Sequence, residues 1–319
     1  AMKRPLIILT GPTAVGKTSA SINLAKAVNG EIISADSMQV YRHMDIGSAK
    51  IRAEEMEGIC HHLIDILEPD EEFHVVRFQQ LAKQAMEEIY GRGRIPILVG
   101  GTGFYIQAVL YDIDFTENDG DPAYRKALET LAQEQGAETL HARLKEVDPK
   151  SAEEIHAHNV KRVIRALEYF HLTGQPISAH NEEQRQKESP YCFAYFVLND
   201  DRANLYRRID KRVDQMMDEG LLEEVQLLKD MGYHKKMVSM QGLGYKEMLD
   251  HLDGICPLEE AVRILKRDTR HFAKRQLTWF KRERDVIWLN KPDFHYDETA
   301  ILNAMLEHLK ERGVLESMR

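Results

Sequence analysis

The stretch LIILTGPTAVGKTSASINLAKAV, Leu6 to Val28, decides the fold. Its leading apolar run, Leu6–Leu9, reads as a strand buried on both faces. GPTAVGKT, Gly11–Thr18, then fits G-x-x-x-x-G-K-[ST]. Helical periodicity follows, with Ala20, Leu24, Ala27 and Val28 on one expected face. Strand, glycine-rich turn and helix are the setting this motif requires. Successive backbone N–H groups and a helix N-terminus form an anion nest, the lysine adds a point charge, and the hydroxyl can take Mg²⁺. Gly11, Thr13, Ala14, Val15, Gly16, Lys17 and Thr18 are therefore expected to hold a polyphosphate, with Thr18 as the metal ligand. The motif is silent on which polyphosphate it serves.

Outward from that unit, EIISA (Glu31–Ala35) reads as a second strand. RIPILVGGTGFYIQAVL contains a third, Ile95–Val99, before a turn and another helix. Strands alternating with helices imply a parallel, doubly wound sheet. The pattern changes after Tyr111. DIDFTENDGDPAY (Asp112–Tyr124) is an acidic, turn-rich exit with no strand, and from about Pro122 to Thr173 the periodicity is helical, broken at Asp148–Pro149 and closed by TGQP. YCFAYFVL (Tyr191–Leu198) returns to a strand, and VIWL (Val286–Leu289) reads as a last edge strand after long helical segments. The expected organisation is an α/β core, residues 1–112 and 190–319, interrupted by an all-helical insertion, residues 113–189.

The 319 residues suffice for a large core, and 43% apolar with 30% charged residues is ordinary for a soluble globular protein. Acids outnumber Lys and Arg by 52 to 43, so any nucleic-acid site must be a local basic surface on an acidic body. Cys60, Cys192 and Cys256 stand apart and show neither zinc spacing nor a disulfide framework. The N-terminal apolar run is too short for a signal-peptide core, and no run reaches the ~20 residues of a membrane span. A cytoplasmic protein without a membrane partner is expected.

Asp36, with Ser37 and Gln39 just beyond, stands at the mouth of the second strand, 20 residues after Gly16. It could bind ribose hydroxyls, ligate magnesium, cap a helix, or act as a general base where ligands of open α/β sheets collect. Spacing alone leaves base and ligand equally open. A nucleotide-hydrolysing enzyme would also show an apolar strand ending in Asp to hold its metal. HHLID at Asp65 and LYDID at Asp112 and Asp114 are poor candidates, and IPILVGG ends in glycines.

RILKRDTRHFAKRQLTWFKRER, Arg263–Arg284, holds nine Lys/Arg against two acids. Arg263, Arg267, Arg270 and Lys274 share one helical stripe, expected to track phosphates rather than to be a solvated face. Leu265, Phe272 and Trp279 share another. In NVKRVIRALEYF, Val160, Val163, Ile164 and Leu167 should face a core while Lys161, Arg162 and Arg165 lie outside. LYRRIDKRVDQMM sets Arg208 and Arg212 one turn apart, either clamping a diphosphate or pairing with Asp210 and Asp214. His61 and His62 lack an evident third metal ligand.

Together GPTAVGKT, SADSMQVYRHMDIGSAK, LVGGTGFYIQAVL, VKRVIRALEYFHLTGQPIS, LYRRIDKRVDQMMDEGL, QGLGYKEM and KRQLTWFKR resemble the bacterial tRNA dimethylallyltransferases, also called tRNA isopentenyltransferases, in family order over nearly the whole chain. The resemblance implies transfer of a dimethylallyl group from dimethylallyl diphosphate to N6 of the adenine 3′ to the anticodon. It also implies Mg²⁺, a P-loop nucleotide-kinase-like parallel sheet flanked by helices, and an insertion that grips the anticodon stem-loop; a monomer is expected. Thr13 to Thr18 would hold the diphosphate, and Arg208 or Arg212 would help neutralise it. Asp36 would take the N6 proton, with Ser37, Met38, Gln39 and Thr102 around the flipped base. Val160, Lys161, Arg162, Val163 and Ile164 would touch RNA, as would Met240, Gln241, Gly242, Leu243, Gly244 and Tyr245, together with Lys274 and Arg275 of the basic helix. The chain departs from the family in reading DIGSAKI for DIGTAKP and HAHN (His156–Asn159) for HPN, and it lacks the Cys/His finger of eukaryotic members.

The chemistry fits: pyrophosphate leaves, so no phosphoryl transfer is needed and no metal-binding strand-end acid is required. A small-molecule or nucleoside kinase would use the same loop but gives the insertion's basic helix no task. A free-adenylate isopentenyltransferase needs no anticodon clamp. An RNA-binding module with a vestigial loop would not need Lys17, Thr18 and Asp36 together.

Overall fold

A computed structural model of the protein describes residues 2–115 and 121–316. The acidic exit read at Asp112–Tyr124 therefore lies, at 116–120, outside the described residues. Six strands form one parallel sheet: β1 Arg4–Thr10, β2 Gly30–Ser34, β3 His61–His62, β4 Ile95–Val99, β5 Tyr191–Asn199 and β6 Val286–Asn290, in the order β3-β2-β4-β1-β5-β6. The helices are α1 Lys17–Val28, α2 Val75–Gly91, α3 Gly103–Leu110, α4 Pro122–Gln135, α5 Ala137–Val147, α6 Pro149–Glu154, α7 Val160–Thr173, α8 Ile177–Arg185, α9 Arg202–Glu219, α10 Leu221–Asp230, α11 Tyr245–Leu252, α12 Leu258–Arg282 and α13 Glu298–Glu311. None of them is long and apolar enough to cross a membrane.

The chain divides into two compact units, one of residues 1–110, 190–235 and 239–319, the other of 111–189 with 236–238. The first carries the sheet. β1 is its centre, and Leu6, Ile7, Ile8 and Leu9 are wholly buried, as a strand covered on both faces requires. Ile7 and Leu9 share a core with Ile22 and Leu24 of α1, Leu205 and Ile209 of α9, and Ile301 and Met305 of α13. The covered face of α1 is Ser21, Ile22, Leu24 and Ala25, with Ala20 and Val28 partly buried against the same core; of the four residues expected there, only Ala27 is exposed.

The sequence does not mark β3, because two residues carry no periodicity. Ile32 and Ile33 pair with His61 and His62, and buried Glu31 ties the edge together. Its carboxylate accepts from both Arg92 Nε and Nη2 at 2.8 Å and lies 2.9 Å from His62 Nε2. Arg92 chiefly holds the Glu31 carboxyl down at about 2, against burial, with help from His62. Glu31, Cys60 and His62 are close enough to hold a cation together. With Arg92 already on the carboxylate, the cluster is an ion-pair network.

The second unit is helical and has its own core of Leu128, Leu140, Leu144, Val163, Ile164, Leu167 and Ile177. The break at Asp148–Pro149 is a helix start: Asp148 accepts from Ser151 N at 3.2 Å, and Pro149 opens α6. Along α7 the apolar face is as expected, but Arg162 is buried rather than outward, its guanidinium 6.0 Å from the Phe115 ring centroid. A guanidinium is more weakly hydrated than an ammonium and is covered at lower cost beside an aromatic ring.

Candidate active site

The phosphate loop follows β1. Gly11 has φ 150°, and a Cβ there would lie 2.5 Å from the Leu198 carbonyl oxygen, so only glycine fits. Ala14 and Gly16 take left-handed backbone, φ 68° and 100°. Gln276 of α12, buried, spans the loop: its Oε1 accepts from Thr13 N at 2.8 Å and its Nε2 donates to the Gly101 carbonyl at 3.1 Å. Lys17 Nζ lies back on the loop carbonyls of Gly11 and Pro12, at 2.7 and 3.2 Å. Thr18 is exposed in the first turn of α1.

Cations gather here. Arg208 Nε donates to the Ala14 carbonyl and Lys291 Nζ to the Val15 carbonyl, both at 2.8 Å. Arg212 stands near both Arg208 and Lys17. Burial first and Arg212 second push Lys17 down to about 7, with Asp36 opposing. Burial and Arg208 likewise lower Arg212. Asp210 and Asp214 do not neutralise this pair, since they bind Arg270 at 2.6 Å and Lys266 at 2.7 Å on α12. Among the described residues no carboxylate comes within ion-pair distance of Lys17, Arg208, Arg212 or Lys291. Like charges held together under burial are relieved by an anion.

Asp36 stands two residues beyond the carboxyl end of β2. Its Oδ1 accepts from Met38 N at 2.8 Å and Gln39 N at 3.2 Å. Burial raises its carboxyl above the usual aspartate value, although these two N–H groups and Lys17 pull the other way. Gln39 accepts from Ser34 Oγ at 3.2 Å and reaches the Ser48 and Ala49 carbonyls only at 3.4 Å, contacts weak enough to be exchanged. Ser37 is half-buried beside it. Thr102 N donates to the Ala35 carbonyl at 3.2 Å, so the turn after β4 sits against Asp36's neighbour. A Cβ on Gly100 would lie 2.3 Å from that same carbonyl oxygen. Glycine lets the two strand ends meet.

The segment 240–245 closes on this loop through small residues. A Cβ on Gly242 would meet Met38 Cε at 2.6 Å, and one on Gly47 would meet the Tyr245 ring at 2.6 Å. Met240 and Tyr245 are fully buried, leaving Gln241, Gly242 and Leu243 as the accessible part of MQGLGY. In the helical unit Val163 and Ile164 are buried like Arg162, while Val160 is half-buried and Lys161 exposed. Three members of the basic stripe of α12 form ion pairs at the surface. Arg263 pairs with Glu260, Arg267 with Asp268 and Arg270 with Asp210, while Lys274 and Arg275 stay exposed.

Sequence reasoning missed Gln276, Lys291 and Glu224. Glu224 accepts from the N–H groups of Asp45 and Ile46 at 2.9 Å and Gly47 at 3.2 Å, and from Tyr245 Oη at 2.9 Å. For Lys291 there was a signal: it directly follows a strand end on the ligand side of the sheet. The poor strand-end acid Asp65 is bound to Lys50 instead.

Residues 39–283 match the family model for IPP transferase, and residues 4–67 match that for isopentenyl transferase. The chain is 66% identical to the tRNA dimethylallyltransferase of Lachnoclostridium phytofermentans, covering 98% of this chain and 100% of that one. It is 55% identical to that of Bacillus licheniformis, over 90% and 91%. The crystal structure of the full-length tRNA isopentenylpyrophosphate transferase of Bacillus halodurans is similar with a TM-score of 0.74 at 48% identity, covering 98% and 99%. A eukaryotic dimethylallyltransferase acting on tRNA is similar at 0.71 and 31% identity, covering 90% and 74%. A phosphate loop facing a carboxylate across one sheet edge, the ordered motifs and these matches agree: the chain belongs to the tRNA isopentenyltransferase family.

Proposed function

We propose that the chain transfers the dimethylallyl group of dimethylallyl diphosphate to N6 of the adenine 3′ to the anticodon of tRNA, releasing diphosphate. It would act as a cytoplasmic monomer, where its RNA substrate is met. The observation that carries this reading is the pairing of Asp36, a carboxylate of raised basicity, with a cation-lined phosphate loop on the same edge of the sheet.

Adenine N6 is a weak nucleophile because its lone pair is delocalised into the ring. Attack on the allylic carbon leaves a proton to be removed. Asp36 Oδ1 is engaged by backbone N–H groups, so Oδ2 is the oxygen placed to take that proton, a contribution of ~10²–10⁴ in rate. Charge growing on the leaving diphosphate falls to the loop N–H groups, Lys17, and Arg208 with Arg212. Mg²⁺, when bound, would add neutralisation of the diphosphate. Thr18 offers one exposed hydroxyl, and a single protein ligand completed by substrate oxygens and water suits that ion. Ser37, Met38, Gln39 and Thr102 border the place a base would occupy, and the loosely held Gln39 amide can turn to it. Unstacking a loop adenine costs little. Gln241, Gly242 and Leu243, with Lys274 and Arg275, offer RNA contacts in one unit, and Val160 and Lys161 offer them on α7 of the other.

Pyrophosphate release tests the function. With dimethylallyl diphosphate and Mg²⁺, release should depend on an anticodon stem-loop carrying adenine after the anticodon, and should vanish when guanine, which has no N6 amine, replaces it. Release indifferent to the RNA would contradict the proposal.

A further inference from the structure

The edge strand β6 ends at Asn290, and the next residue returns to the phosphate loop. Lys291 Nζ donates to the Val15 carbonyl at 2.8 Å. A trans peptide points its C=O and N–H in opposite directions. Anchoring the Val15 carbonyl therefore aims the Gly16 N–H the other way. Gly16 is left-handed, and a Cβ there would lie 2.8 Å from the Lys291 ammonium and 3.5 Å from the Arg208 guanidinium, so this glycine leaves room for both cations. Arg208 holds the preceding carbonyl, Ala14, in the same manner. Two side chains more than 80 residues apart in sequence thus grip consecutive carbonyls of one loop. Asp200 and Glu298 face Lys291 as well, yet burial and Arg208 outweigh them and lower its ammonium. The charge is not neutralised where it stands.

We infer that Lys291 is a positioning residue of the diphosphate seat, fixing the Val15–Gly16 peptide through the Val15 carbonyl and adding its charge to those of Lys17, Arg208 and Arg212. The inference rests on the proposal that this seat takes a diphosphate donor. It gives the carboxyl end of the edge strand a share in the site, beside the ends of β1, β2 and β4.

Inorganic pyrophosphate with Mg²⁺, titrated calorimetrically into the intact chain, probes the seat without requiring prenyl transfer. Lys291→Met keeps the aliphatic stem and removes the charge. It should weaken pyrophosphate about tenfold and raise KM for dimethylallyl diphosphate equally, with kcat within about twofold. Stem-loop affinity and melting temperature should not change, and Lys291→Arg should restore most of the loss. Wild-type pyrophosphate affinity in Lys291→Met would overturn the inference and leave the donor proposal standing. A lowered melting temperature with proportionate loss of RNA binding would also overturn it, making Lys291 a structural brace. A wild-type chain that neither binds pyrophosphate nor transfers a prenyl group would overturn both.

Discussion

Asp36 meets two opposing demands. The Met38 and Gln39 N–H groups that fix its orientation also lower its basicity, and burial more than restores it. Asp36→Asn keeps the Oδ1 acceptor and the shape while removing the base. Its turnover should fall at least ~10², with stem-loop affinity nearly unchanged, and near-normal single-turnover rates would dismiss Asp36 from the role. Lys17 is held near 7 by burial and Arg212, so it is only partly charged in the free protein at neutral pH. A bound diphosphate favours the ammonium and raises that value. Affinity should therefore be full below pH 7 and fall above it, by up to about tenfold per unit, until the raised value is reached. Pyrophosphate titrations from pH 6.5 to 9, roughly spanning that window, should show this slope in the wild type and lose it in Lys17→Met. A flat wild-type profile would mean that Lys17 is not the group that charges. Lys17 and Asp36 could be read from the chain because a motif or a strand end marks each position. Gln276 could not, because its partner lies 263 residues away, and for Lys291 the strand end marks the position but not the loop carbonyl 276 residues away that it holds.

Glu224, in the first turn of α10, shows how elements are held in register around the site. Three consecutive N–H groups at Asp45, Ile46 and Gly47 form a small anion nest, and this carboxylate fills it while taking the hydroxyl of buried Tyr245. One side chain thereby locks the loop after β2 to the start of α11. Glu224→Ala would strand those donors and should cost about 3 kcal/mol in urea unfolding, with transfer falling further than stability explains. An unchanged midpoint would show that water satisfies the nest. The strands other than β3 were legible as apolar runs, and α7 as an amphipathic stripe. The exposure of Ala27 on α1 and the burial of Arg162 were not. Burial of single positions answers to long-range neighbours, such as the Phe115 ring near Arg162, which periodicity does not record.

The whole molecule carries a net charge of −9, yet Lys17, Arg208, Arg212 and Lys291 cluster at one sheet edge. The charge counted along α12 is partly paired, with acids from α9 and from the helix itself. Stem-loop affinity should still fall with salt, with a slope of about −0.7 per single-stranded phosphate contacted. Lys274→Ala and Arg275→Ala should each lower it, whereas Arg263→Ala should not; equal slopes in all three would reinstate the full stripe. Sheet class and the interruption by helices were readable from alternating periodicities, while strand order was not, since any of several crossovers would bury the same residues. The most direct test offers the intact chain labelled dimethylallyl diphosphate and Mg²⁺ without ATP, with an unmodified anticodon stem-loop and free AMP in competition. Label in the RNA alone is the predicted result, whereas label in AMP, or turnover only when ATP is supplied, would contradict it.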